Sequence, residues 1–177
     1  MSPPRQASRL DPRACALDLF ARRGPRVCME DIARAAGLGV GTLYRHFPDR
    51  RALVEEIVTT TLRRLAEQIR LLSARDVSRW DVFAEVVAYS AEQPLALVKS
   101  ILEEEAPVPP ERHALQEEVN ALLRKVVEQA QQEGTLRDDI APGEVVDVFS
   151  TAVCRPGARA DDAVARVVLD GLRARTG

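Results

Sequence analysis

The chain has 177 residues, of which 46% are hydrophobic and 29% charged, with a formal net charge of −2. This is the composition of a soluble globular protein long enough for one good core, or for a small domain joined to a larger one. It holds no apolar run long enough to cross a membrane, and Cys15, Cys28 and Cys154 are too widely spaced for a disulfide framework or a metal site. The opening MSPPRQASRL has no apolar signal region, so a cytoplasmic protein without metal or cofactor is expected.

Charge is unevenly placed. Residues 1–51 hold ten arginines and five acidic residues, an excess of +5, which leaves fifteen basic and twenty-two acidic residues, or −7, for the remainder. A basic head on an acidic body suits a protein that meets phosphate at one end only.

In chain order, Asp11-Pro12 supplies a cap and a proline at the first helical position, predicting a helix to Arg23. A short helix follows from about Met29 to Ala36. Gly37 stands where a helix must end in a left-handed residue. After the turn Gly37-Leu38-Gly39, a second short helix spans about Gly39 to Phe47. Two short helices at a steep angle form a helix-turn-helix, whose second helix enters the DNA major groove. At 100° per residue, Leu43 and Phe47 share an inner face, with Val40 on its edge, against Ile32, Ala33 and Ala36. The outer arc carries Gly41, Thr42, Tyr44 and Arg45, with His46 at its border. Arginine grips guanine or phosphate bidentately, Thr and Tyr donate to phosphate, and Val40 suits a thymine methyl. Pro48 then stops the helix and Asp49 caps the next, with Arg50 in its first turn.

Residues 28–54 resemble the DNA-binding domain of the TetR family of transcriptional repressors. The similarity rests on Asp31-Ile32-Ala33, Ala36-Gly37, the run Gly41-Thr42-Leu43-Tyr44-Arg45-His46-Phe47-Pro48 and Arg50-Arg51-Ala52-Leu53, with Leu19-Phe20-Ala21-Arg22-Arg23-Gly24 upstream. It covers about the first third of the chain. The resemblance implies a homodimer on a palindromic double-stranded DNA operator, usually repressing, released by a small-molecule effector. It also implies that Val40, Gly41, Thr42, Tyr44, Arg45, His46 and Arg50 face DNA. Two departures stand out. Cys28 occupies a capping position that family members usually fill with Ser or Thr, and a thiol is a poor acceptor. Val40 and Gly39 replace residues that are often polar or basic, and Ser, so Arg45, Thr42 and Tyr44 must carry more of the recognition.

The remainder also reads as helix, giving an all-α chain with a head at residues 1–50 and a body at residues 51–177. Arg50 to Leu72 is long and amphipathic, with Leu53, Ile57, Leu62, Leu65, Ile69 and Leu72 in one stripe. Helices follow from Trp80 to Ala91, from Pro94 to about Glu105, from Glu111 to Glu133 and from Pro142 or Gly143 to about Val153. Pro107-Val108-Pro109-Pro110 and Arg155-Pro156-Gly157 break the pattern. A last helix runs from Ala160 to Arg175.

The last two helices have broad apolar faces. By the family resemblance they meet their copies in a four-helix dimer interface through Val145, Val148, Phe149, Val164, Val168 and Leu172; the alternative is that both complete the body's own core. Trp80, Phe83 and Tyr89 are the candidates for an effector pocket in the body, with core packing as the alternative for each. His113 and the run Glu103-Glu104-Glu105 read as solvent-facing. No catalytic residues are expected: there is no phosphate loop, no nucleophile elbow around Ser90 or Ser150, and no histidine pair. Two other readings remain open: a helical protein-interaction or ligand-binding module without DNA readout, and a redox-sensing regulator acting through the Cys28 thiol at a helix start.

Overall fold

Asp11 opens the first helix: its carboxylate accepts the Arg13 backbone N–H at 2.9 Å, and Pro12 takes the first helical position, so α1 runs Pro12–Arg23. The computed structural model describes residues 10–24, 26–103 and 108–174. Within them, α2 spans Met29–Ala35 and α3 spans Val40–His46. Gly37, at φ +67°, makes the left-handed turn between the two. Leu43 is fully buried in the same core as Ile32 and Ala33, which fixes which face of α3 turns inward.

Asp49 caps α4, Arg50–Ser73, by accepting the Ala52 N–H at 2.7 Å. The predicted stripe from Leu53 to Leu72 is buried along its whole length. The other helices are α5 (Arg79–Ala91), α6 (Leu95–Glu103), α7 (Pro110–Gln132), α8 (Pro142–Val153) and α9 (Ala163–Leu172). Both α4 and α7 pack against α5, and against each other most extensively of all, while α8 closes on α5, α7 and α9. The head is α1–α3. It joins the body through α1, which packs on α4 and α6. Arg13 of α1 also pairs with Glu56 of α4 at 3.2 Å.

Sequence and structure differ mainly at the C-terminal end. The last helix starts at Ala163 rather than Ala160, because the Asp162 carboxylate accepts N–H groups from Ala165 and Arg159, both at 2.8 Å. These bonds, the first to Ala165, hold the Asp162 pKa down at about 2. After α9 the chain turns extended and pairs with the turn after α7: Arg137 donates to the Leu172 carbonyl, and Ala174 to that of Thr135. The expected helical or loop positions Glu104, Glu105, Pro107 and Arg175 lie outside the described residues.

Candidate nucleic-acid interface and effector cavity

The outer face of α3 follows from the burial of Leu43. With that side chain inward, Val40, Gly41, Tyr44, Arg45 and His46 are exposed and Thr42 is half-buried. Arg45 donates from Nη2 to the Thr42 hydroxyl at 3.1 Å, one turn back on the same helix. This bond aims the guanidinium along the helix while leaving its other donors open. Arg45 forms no ion pair among the described residues, whereas Asp11, Asp18 and Asp31 of the head pair with other arginines. Asp18 holds Arg22 at 2.9 Å, Asp31 bridges Arg23 at 3.4 Å and Arg34 at 2.8 Å, and Asp11 holds Arg13 at 3.0 Å. The outer face of α3 thus presents a cation that no carboxylate of its own head neutralises.

Gly41 sits in the first turn of α3, and a Cβ placed there would meet nothing within 4 Å. The chain's own packing therefore does not demand a glycine here. Arg50, at the start of α4, is half-buried with its guanidinium over the Phe20 ring, 5.4 Å from the centroid, so the α4 start is clamped to α1. At the start of α2, the Cys28 side chain makes no capping hydrogen bond, as expected of a thiol.

The body places the other candidates differently. Trp80 and Phe83 are core residues, their rings 6.1 Å apart, and Phe83 meets Phe149 at 6.3 Å. Tyr89 is partly buried against the same core. A cavity of about 440 Å³ lies between α4, α6, α7 and α8 and is lined by none of the three. Its apolar wall includes Val58, Leu62, Leu65, Val98, Val119 and Leu123; Lys99, Gln116, Asn120, Asp147, Ser150 and Thr151 supply polar groups. Its volume and its apolar lining with a few polar groups are those of a small-molecule site. No local pattern announces it, since its walls are gathered from residues 58 to 154.

Among the expected interface residues, Val145, Phe149 and Leu172 are buried within the protomer at 0%, 3% and 3% exposure. Val148 and Val164 are exposed and Val168 half-buried. Val167, at 70% exposure, is the most open of the large apolar side chains of α9. It follows Val164 by three residues, so the two share one outward stripe.

A helix-turn-helix head on an all-helical body defines a class of DNA-binding regulators, and the comparisons with known proteins specify it. Residues 14–57 match the family model "Bacterial regulatory proteins, tetR family", and residues 77–174 match "Transcriptional regulator SbtR-like, C-terminal domain". The chain is 34% identical to the HTH-type transcriptional repressor KstR2 of Rhodococcus jostii (strain RHA1), over 89% of this chain and 87% of that protein. Among solved structures, the ketosteroid transcriptional regulator KstR2 of Mycobacterium tuberculosis superposes with a TM-score of 0.69 at 22% identity, over 93% of this chain and 94% of that one, a likeness of fold. The TetR transcription regulatory protein from Mycobacterium vanbaalenii gives 0.67 at 28% identity, covering 92% and 93%. The chain belongs to the TetR family. It is a DNA-binding transcriptional regulator and not an enzyme. No helix of the described residues is long and apolar enough to cross a membrane.

Proposed function

We propose that this protein is a sequence-specific repressor that binds a palindromic operator as a homodimer and is released by a small-molecule effector held in the body. The observation that carries this reading is the outer face of α3. It combines an arginine aimed by Thr42 and without an ion pair among the described residues, a glycine that its own fold does not require, and the side chains of Val40, Tyr44 and His46. In this reading Arg45 reads a base edge, Val40 contacts a thymine methyl, and Thr42, Tyr44, His46 and Arg50 engage phosphate and sugar.

A palindrome requires two heads in fixed separation, about one helical turn of DNA apart. The second copy is assigned to α8 and α9, with Val148, Val164 and Val167 at the contact and Val145, Val168, Phe149 and Leu172 bracing them from behind. Exposed valines on two adjacent helices support a two-fold, self-complementary contact. Release is assigned to the 440 Å³ cavity rather than to Trp80, Phe83 and Tyr89. Its walls include α4 and α6, the two helices on which α1 rests. An occupant that shifts either helix changes the angle of the head, and two heads out of register no longer fit one operator.

The test is fluorescence anisotropy against DNA flanking the protein's own gene, with scrambled DNA and a salt series, alongside sedimentation of wild type and Val167→Glu. Expected are preferred binding to one flanking fragment, affinity that falls steeply with salt, and a dimer that Val167→Glu converts to a monomer with weaker operator binding. Equal affinity for scrambled DNA, followed by an empty genome-wide selection of bound fragments, would sink the repressor reading.

A further inference from the structure

The cavity between α4, α6, α7 and α8 sorts its lining by depth. Its buried residues are all hydrocarbon, Val58, Leu62 and Leu65 of α4 and Val119 and Leu123 of α7 among them. Among the described residues, its polar groups stand on exposed or half-buried side chains: Lys99, Gln116, Asn120, Asp147, Ser150 and Thr151. These belong to α6, α7 and α8, and none to α4. The cavity therefore has an apolar closed end against α4 and a polar mouth between the other three helices. The mouth carries one cation and one anion, both in reach of water, so neither sign of occupant is favoured there. The closed end offers no donor, no acceptor and no counter-charge. A polar group pushed into it would lose its hydration without return, and water itself would find no partner. Hydrocarbon gains by entering. Val58, Leu62 and Leu65 follow one another at four and three residues, one stripe of one helix. Just before that stripe, Glu56 of α4 holds Arg13 of α1 at 3.2 Å. Whatever presses on the closed end thus presses on the helix that holds the head.

We propose that the cavity binds a small amphiphile by its hydrocarbon tail, with the tail's end lodged against α4 and the polar end left at the mouth, and that it selects by tail length and not by the charge of the polar end. This deepens the effector reading given above and rests on it for its biological meaning, although the binding itself does not. A short tail leaves the closed end unfilled and α4 untouched. A tail that reaches Val58, Leu62 and Leu65 both gains the most from burial and acts on the helix that carries the head. Gln116, Asn120, Ser150 and Thr151 are placed to meet a polar end of either sign, since amide and hydroxyl groups both donate and accept.

Three n-alkyl series test this: alkanols, alkanoates and alkyltrimethylammonium salts, each titrated calorimetrically into the full-length protein below its micelle-forming concentration. Each added CH₂ is expected to tighten binding about fourfold until the tail fills the closed end, beyond which affinity levels off. At equal tail length the neutral, anionic and cationic heads should agree within about fivefold, the scale of an exposed ion pair. Lys99→Gln and Asp147→Asn, changes at exposed side chains, should move no affinity by more than that. Leu62→Ala deepens the closed end and should shift the levelling-off point to longer tails. Affinity independent of tail length, a larger preference for one head charge, or an unmoved levelling-off point in a folded Leu62→Ala would each overturn the proposal. The wild-type series decide it even where Leu62→Ala melts too low to titrate. Operator occupancy, followed by anisotropy with the same ligands, judges the effector reading separately. Release that rises with tail length supports both. Tail-dependent binding that leaves the operator complex intact would keep the ligand class and break the effector reading; release without tail dependence would do the reverse.

Discussion

The head and the body use charge in opposite ways. In the body, arginines tie helices together. Arg63 pairs with Glu111 and Arg70 with Glu118 across α4 and α7, Arg75 pairs with Glu85 across the turn into α5, and Arg112 reaches Glu55 at 2.8 Å. In the head, Asp31 joins Arg23 of α1 and Arg34 of α2, whereas the outward-facing α3 carries Arg45 without an ion pair among the described residues. A cation paired inside the fold contributes to cohesion and little to recognition. One left free on a packed helix contributes nothing to cohesion and is available to a polyanion. The same residue type therefore does different work in the two regions, and its neighbours decide which.

The largest effect that would test this contrast is in the body. Arg112 is 4% exposed and its partner Glu55 18%, so this pair is withdrawn from solvent, unlike the exposed pairs beside it. Glu55→Leu leaves a buried guanidinium without its counter-charge, and a loss of about 3 kcal/mol is expected. For a chain of this size that is a fall in Tm of roughly 6–12 °C, compared at equal protein concentration. Adding Arg112→Met should recover most of it, because the unpaired charge is then gone. A double variant as unstable as the single one would show that the pair's geometry, not its charge balance, holds α4 to α7. Operator affinity below the melting range should change little in the double variant.

Arg45→Ala reverses the pattern. It should leave folding stability within about 0.5 kcal/mol of wild type, as at any exposed position away from the core. It should nevertheless weaken operator binding by about 1–3 kcal/mol, roughly 5–150-fold, and relax the preference at one base pair. Anisotropy on the operator and on a single-base series reads both. A uniform loss across all sequences, with a shallower salt dependence, would instead place Arg45 on a phosphate.

These two residues also show what a sequence discloses. The outward placing of Arg45 was legible because α3 is a local object: seven residues, a glycine turn before it and a proline after it, with Leu43 fixing the inner face. Arg112 was not, since nothing near it in the chain shows that Glu55 of another helix will meet it. The cavity was hidden for the same reason. The aromatic residues Trp80, Phe83 and Tyr89 drew attention through their chemistry, but α5 packs on α8, and that packing places Phe83 against Phe149 in the core. In the last two helices the apolar content was plain, but its direction was not. Val145 and Phe149 lie four apart on the face that turns inward, whereas Val148, between them, turns out.

Gly41→Ala separates cohesion from recognition within the head alone. The open space around Gly41 and the better helix propensity of alanine predict a gain of about 0.5–1 kcal/mol in stability. If α3 lies close against DNA, the added methyl group pushes the helix back, and operator affinity should fall while Tm rises. Paired melting and anisotropy measurements decide it. A variant that is more stable and binds equally well would remove Gly41 from the interface and widen the expected gap between α3 and the groove.

The smallest effect is at Cys28, where the two regions' logic meets in one side chain. The residue has the extended backbone of a helix cap, φ −83° and ψ 159°, yet its thiol accepts no hydrogen bond, and the first turn of α2 is left without a side-chain acceptor. A serine hydroxyl in the same backbone geometry can accept an N–H from that turn. Cys28→Ser should therefore raise stability by about 0.5–1 kcal/mol, with operator affinity unchanged. If so, cysteine here is a cap that could be improved without loss. A serine variant that gains no stability would mean that the first-turn N–H groups are already satisfied by solvent. Repeating the operator titration with peroxide separates this from a sensing role. The thiol is exposed, so oxidant can reach it. Wild type losing affinity under peroxide while Cys28→Ser holds it would give the weak cap a purpose, whereas equal behaviour of the two would leave Cys28 as a capping residue and nothing more.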